Sequence, residues 1–196
     1  MDDANAFERL KSVVVSHGHT FETGPVDRGV LERVSSELSL PPGFVSLYVD
    51  HGPVPRSSIP WVVEDLLVVS FEELPEAQDG YGRAGDGRTP SPSWQTGWVV
   101  VASVFGDPFF IDTSRDGCPV LFARHGAGIW SPVEVASSME AFINSLVGFE
   151  IVLLDGFDLE VWDDNGLLPQ FVGQIEQELA GILTSEQAAA FAAILD

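Results

Sequence analysis

Four histidines and one cysteine are the side chains of this 196-residue chain best suited to hold a metal ion or attack a substrate. His17-Gly18-His19 could turn two imidazoles toward one ion. A zinc site needs a second close pair of Cys or His, and His51, Cys118 and His125 are too scattered to supply one. Cys118 would need a histidine partner and positive surroundings to be a thiolate; it follows the Gly117 turn and opens an apolar stretch, the setting of a structural thiol. Gly80-Tyr81-Gly82-Arg83-Ala84-Gly85-Asp86-Gly87 has the glycine content of a phosphate loop. Arg88-Thr89-Pro90 then stands where a Walker loop needs Lys-Ser/Thr. The carboxylates Asp155, Asp158, Glu160, Asp163 and Asp164 could ligate calcium. Counted as an EF-hand loop from Asp155, Glu160 falls where glycine is required and Gly166 where glutamate is. These readings predict a protein with no catalytic residues, no cofactor and no bound metal.

What remains is charge. Thirty acidic side chains face nine basic ones, giving a net charge of −21, and no Lys or Arg follows Arg124. Such a surface repels nucleic-acid phosphates and anionic lipid, and it steers a basic partner inward. The residues best placed to meet that partner are Glu72, Glu73, Glu76 and Asp79 on an acidic turn and Asp86 in the glycine-rich loop. Trp94 would serve as their aromatic anchor. On the competing reading Trp94 belongs to the core and the acids only keep the protein soluble.

Those residues need a scaffold, and a chain that is 45% apolar, with thirteen Phe and five Trp, can build one. Val13-Val14-Val15 predicts a strand or a loosely ordered lead-in. Asp27 can cap a helix with Val30, Leu31, Val34 and Leu38 on one face. Pro42 can start a second, with Phe44, Leu47 and Tyr48 inward and Gly52-Pro53 as its end. Residues 66–70 read as a buried strand, and Ser70 can cap a brief turn against Glu73. Residues 78–97 read as a loop. Residues 98–105, 109–112 and 119–123, separated by tight turns, predict an antiparallel meander. Ser137-x-x-Glu140 has capping-box spacing and opens a helix with Met139, Phe142, Ile143 and Leu146 inward, stopped at Gly148. Residues 149–154 then read as a strand. Phe171, Ile175, Leu179 and Ile182 line a helix, and Thr184-x-x-Gln187 caps a last one with Phe191 and Leu195 inward. The fold class is therefore α+β, an antiparallel sheet flanked by helices.

The order of these elements resembles the SUKH superfamily. Leu40-Pro41-Pro42-Gly43-Phe44-Val45-Ser46-Leu47-Tyr48 with Gly52 is similar to the family's opening motif, although Asp50-His51-Gly52-Pro53 departs from its usual helix end. The strand and acidic turn at 66–74, the meander with Ile111-Asp112, and the Ala136-Ser137-Ser138 helix start resemble the family's later elements. The resemblance covers about residues 27–147. It divides the chain into a SUKH-like domain, 1–148, and an acidic, mainly helical C-terminal extension, 149–196.

SUKH members include eukaryotic cell-wall synthesis regulators and many bacterial immunity proteins that cap secreted toxins, often nucleases. The resemblance thus implies a non-catalytic protein-binding domain with a protein partner, a basic toxin being the kind its charge fits. The alternative is an adaptor or regulator of a cellular protein. One cysteine, an N-terminus without a signal-peptide pattern and apolar runs too short for a bilayer predict a cytoplasmic protein with no membrane partner. The sequence leaves the oligomeric state open.

Overall fold

In the computed structural model, which describes residues 5–83, 91, 93–126 and 129–195, the chain opens with helix α1 (Ala6–Ser16). This corrects the strand or loosely ordered lead-in read from Val13-Val14-Val15. The Asn5 side chain accepts from Phe7 N–H at 2.9 Å, and Phe7, Leu10 and Val14 form a buried stripe at helical spacing. Packing of that stripe outweighs the modest helix aversion of three β-branched residues. Strand β1 (Thr23–Gly24) follows. Asp27 then caps α2 (Arg28–Leu38), accepting from Gly29 and Val30 N–H, and Pro41-Pro42 starts α3 (Pro42–Tyr48). Gly52-Pro53 ends α3 by becoming β2 (Gly52–Pro53), antiparallel to β1.

Strands β3 (Ser58–Ile59), β4 (Leu66–Val68), β5 (Trp98–Val104), β6 (Asp107–Asp112), β7 (Val120–Phe122) and β8 (Val133–Ala136) form one six-stranded sheet. Each pairs antiparallel with its neighbour in the sequence, so the predicted meander stands at the centre of a larger one. The fold is α+β. Between β4 and β5 lies the short helix α4 (Leu74–Ala77), its Leu74 and Pro75 buried. Strand β4 is not buried throughout as predicted: Leu66 and Val68 point into the core, while alternation leaves Leu67 52% exposed on the opposite face.

Helix α5 (Met139–Glu150) packs one sheet face with Met139, Phe142, Ile143 and Leu146, all buried as the spacing requires. Its cap is Ser138, whose Oγ accepts from Ala141 N–H at 3.2 Å, one residue beyond the predicted Ser137. Gly148 does not stop it. A Cβ there would lie 3.2 Å from Glu178 Cγ and 3.3 Å from Leu179 Cδ2, so the glycine admits the close approach of another helix. The predicted strand at 149–154 is instead the end of α5 running into a π-helical segment, Ile151–Gly156. Phe149, Val152 and Leu153 recur at i, i+3 and i+4 and are all buried, a helical pattern that an apolar run conceals.

A small hairpin of β9 (Trp162–Asp163) and β10 (Gly166–Leu167) leads to α6 (Pro169–Leu179) and α7 (Ser185–Ala192). Phe171, Ile175 and Leu179 are buried in α6; Ile182 lies beyond the helix and is 38% exposed. Thr184 and Gln187 close both halves of the capping box, and Phe191 and Leu195 are buried. Trp61 joins these helices to the sheet. Its ring lies 4.2 Å from Phe149, 5.7 Å from Phe191 and 6.4 Å from Phe109. Among the described residues no helix is long and apolar enough to cross a membrane.

Candidate protein-binding groove

The sheet face away from α5 carries a smaller apolar cluster: Trp98, Val100, Phe110, Leu121 and Ala123, packed against Ala77, Tyr81, Trp94 and Trp130. Beside it runs a groove of about 360 Å³, floored by Leu67, Val69 and Val100 and walled by Glu73, Glu76 and Asp79. The three acids are spaced three residues apart through α4 and its flanks, which sets them along one side of a helical turn. Arg56 is the groove's basic residue at the Glu73 end, and Tyr81 and Ser103 line it as well.

A clamp within the stretch that reads as loop fixes α4 in this position. Strand β4 ends at Val68, so it leaves the backbone of Val100 without a strand partner on that side. A β-bulge between Val100 and Ala102 shifts the β5–β6 register here. The buried Gln78 amide takes the strand's place. Val100 N–H donates to its Oε1 at 3.0 Å, and its Nε2 donates to the carbonyls of Val100 at 3.3 Å and Leu74 at 2.7 Å. A buried amide that satisfies three backbone groups holds helix to sheet by direction rather than by area. No motif announces such a glutamine. Its signal is only a polar residue one helical turn beyond Leu74.

The predicted partner-binding residues fall in different places. Glu73 and Glu76 flank and lie within α4, and with Asp79 they are brought together on the groove wall. Glu73 also serves the fold itself, because its carboxylate accepts from Arg56 N–H at 3.1 and 3.2 Å and from Ser70 Oγ–H at 2.8 Å. Glu76 is exposed. Asp79 lies 3.8 Å from Arg83, which also pairs with Glu37 at 2.9 Å. Glu72 is separate, lining a recess with residues 24–27 and 52–55. Asp86 lies outside the described residues.

Trp94 is half-buried and sits behind the groove rather than in it. Its ring centroid is 4.8 Å from Phe110, 5.1 Å from Trp130, 5.3 Å from Trp98 and 5.9 Å from Tyr81. Its Nε1–H donates to the Trp98 carbonyl at 2.9 Å, and a Cβ on Gly82 would lie 3.0 Å from the indole. Tyr81 O–H donates to the Gly106 carbonyl at 2.7 Å, so the groove wall is tied to the β5–β6 turn.

The side chains suited to metal or nucleophilic chemistry have other neighbours. His17 Nε2 lies 2.7 Å from Asp155, and His51 Nδ1 lies 3.4 Å from Glu8. Burial raises the Cys118 thiol above its ordinary value, and the Asp112 and Asp116 carboxylates push it further, which is the reverse of an activated thiolate. Among the described residues no group of three or more His, Cys, Asp or Glu is placed to hold a metal ion. What the groove can do is grip: an apolar floor takes a hydrophobic side chain, and the acidic wall takes the cations that flank it. No protein-family model matches this chain, and no curated protein does.

Proposed function

We propose that this chain is a non-catalytic protein-binding domain of SUKH type, an immunity protein that neutralises a cognate bacterial toxin by occluding it. The partner whose charge fits is a basic nuclease, because an acidic inhibitor resembles that enzyme's polyanionic substrate. The observation that carries the reading is the groove itself, where Glu73, Glu76 and Asp79 stand over an apolar floor of Leu67, Val69 and Val100. A net charge of −21 adds a long-range field that draws a basic partner toward it.

The test is co-expression with the product of the adjacent gene, followed by purification and association kinetics. A stable complex that abolishes the partner's toxicity is expected. Association should slow steeply as salt shortens the Debye length from about 30 Å at 0.01 M to about 8 Å at 0.15 M. Reversing Glu76→Lys and Asp79→Lys together should slow association about tenfold or more while changing dissociation less. Glu73 is left alone, since it latches the loop at Arg56. A captured partner with no toxicity would replace this reading with the adaptor alternative. Association indifferent to both salt and reversal would end the electrostatic account, leaving the acidity as a solubility device.

A further inference from the structure

The turn joining β5 to β6 holds a residue that local chemistry argues against. Val104 and Asp107 are the last pair of the ladder, so the turn is Phe105-Gly106, and both residues have positive φ, 52° and 78°. A two-residue turn of this kind favours Asn-Gly, because a bulky side chain crowds its own backbone in the left-handed region. Phe105 occupies the strained position and gains no burial there: it is 58% exposed. Strain held without packing in return points away from the core, toward something Phe105 touches.

Two further large apolar residues stand beside it. The Glu64 carboxylate accepts from Phe105 N–H, and the Val62 carbonyl accepts from Trp162 Nε1–H at 3.0 Å. Residue 63, between those two acceptors, is a valine that is 64% exposed, and Trp162 is 45% exposed. Two hydrogen bonds spanning 41 and 100 residues of sequence thus bring the Phe105 backbone and the Trp162 indole to the residues on either side of Val63. The segments that carry them contribute the exposed acids Glu64, Asp65, Asp163 and Asp164, and no Lys or Arg.

We infer that Val63, Phe105 and Trp162 form a second docking surface, which receives an apolar side chain flanked by Lys or Arg on a partner protein. Exposed aromatic residues held by hydrogen bonds, Trp162 through its indole N–H and Phe105 through its backbone N–H, are of the kind that anchors binding. The acidic rim selects among occupants. It repels a second copy of a chain with net charge −21, and it repels anionic lipid. A basic protein segment is the occupant it favours. Val63, Phe105 and Trp162 are not among the residues lining the groove beside α4, and this surface would stand if that groove bound nothing.

The probe is a short labelled peptide of alternating Lys and Leu, compared with oligolysine of equal charge. The Lys/Leu peptide should bind the wild-type chain about tenfold or more tightly than oligolysine. With the groove disabled by Glu76→Lys and Asp79→Lys, Phe105→Asn should erase that advantage, leave oligolysine binding as it was, and raise the thermal midpoint, since Asn tolerates the left-handed turn. Higher stability with weaker binding is a signature that a misfolded variant cannot give. Trp162→Ala, in the hairpin rather than the sheet, should erase the same advantage. Equal affinity for the two peptides, or affinity unchanged in both variants, overturns the inference. So does a wild-type dimer that Phe105→Asn dissociates, which would make the occupant a second copy. If Glu76→Lys with Asp79→Lys abolishes Lys/Leu binding while Phe105→Asn does not, the groove stands and this surface falls.

Discussion

The two faces of the sheet are built by different means. The face under α5 is closed by area: Phe109, Ile111, Val120 and Phe122 meet Phe142, Phe149 and the C-terminal helices, and nearly every side chain is fully buried. The opposite face is closed by direction. Gln78, Tyr81 and Trp94 each tie a polar atom to a backbone carbonyl, and Leu67 is left in the open between them. Trp98 Nε1, buried with no partner among the described residues, is the exception. Apolar area stabilises and is indifferent to fine shape, whereas directed bonds add little net stability and fix geometry. On the proposed function, the first face supplies stability and the second recognition.

Matched truncations break that assignment or sharpen it. Phe109→Ala, fully buried on the helix-covered face, should destabilise by about 3–5 kcal/mol in chemical denaturation. Trp94→Ala removes a larger side chain but a half-buried one, and should remove only about 1–2 kcal/mol while deforming the groove. Equal losses would mean that both faces carry the fold, and the division of labour would be wrong.

Glu150 tests how dry the covered face is. It is fully buried at the end of α5, and neither carboxylate oxygen has a partner among the described residues. Burial, with repulsion from Asp65 second, pushes its carboxyl up to about 9. The folded protein therefore holds a proton that the unfolded chain releases near the ordinary carboxylate value of 4.5. Stability is full below that value and falls by about 1.4 kcal/mol per pH unit until the folded group ionises near 9. Glu150→Gln keeps the shape and removes the ionisation. Denaturation midpoints measured across that window should decline steeply in the wild type and far less in the variant. A wild-type profile as flat as the variant's would show that water reaches the carboxyl.

The covered face is the more legible one in sequence, and the way it is closed explains why. Its residues announce themselves by repetition: Met139, Phe142, Ile143 and Leu146 in α5, Phe171, Ile175 and Leu179 in α6, and the Thr184–Gln187 box. Repetition fails where apolar residues run together. Residues 149–154 read as a strand, and Val13-Val14-Val15 as a strand or loose lead-in, because a continuous run hides a helical stripe, and only partners distant in sequence decide between the two. The open face is legible in part. The acids spaced along residues 73–79 are visible as a charged turn, but the floor beneath them is not, because Leu67 reads as one more buried residue of β4. Gln78 and the Phe105-Gly106 turn depend on single contacts with residues far along the chain, and a pattern search has no period to find there.

The smallest effect lies at the margin of the covered face, where α1 meets the π-helical segment. His17 Nδ1 lies 3.0 Å from the Val13 carbonyl and Nε2 lies 2.7 Å from Asp155 Oδ1, so the doubly protonated ring donates to both. The Val13 carbonyl first, then the Asp155 carboxylate, raises the imidazole above its ordinary value of 6.5, with a weaker contribution from Asp158. The folded state keeps its proton to higher pH than the unfolded state, so the contact stabilises fully below 6.5 and its contribution is lost as pH rises through the raised value. Solvent and salt screen the pair, so its share of stability is slight beside that of Phe109 or Glu150. NMR titration of His17 should show its pKa fall in Asp155→Asn, and denaturation of the two proteins should differ below 6.5 and converge as pH rises through the raised value. A His17 titration unmoved by Asp155→Asn would show that Val13 alone holds the ring.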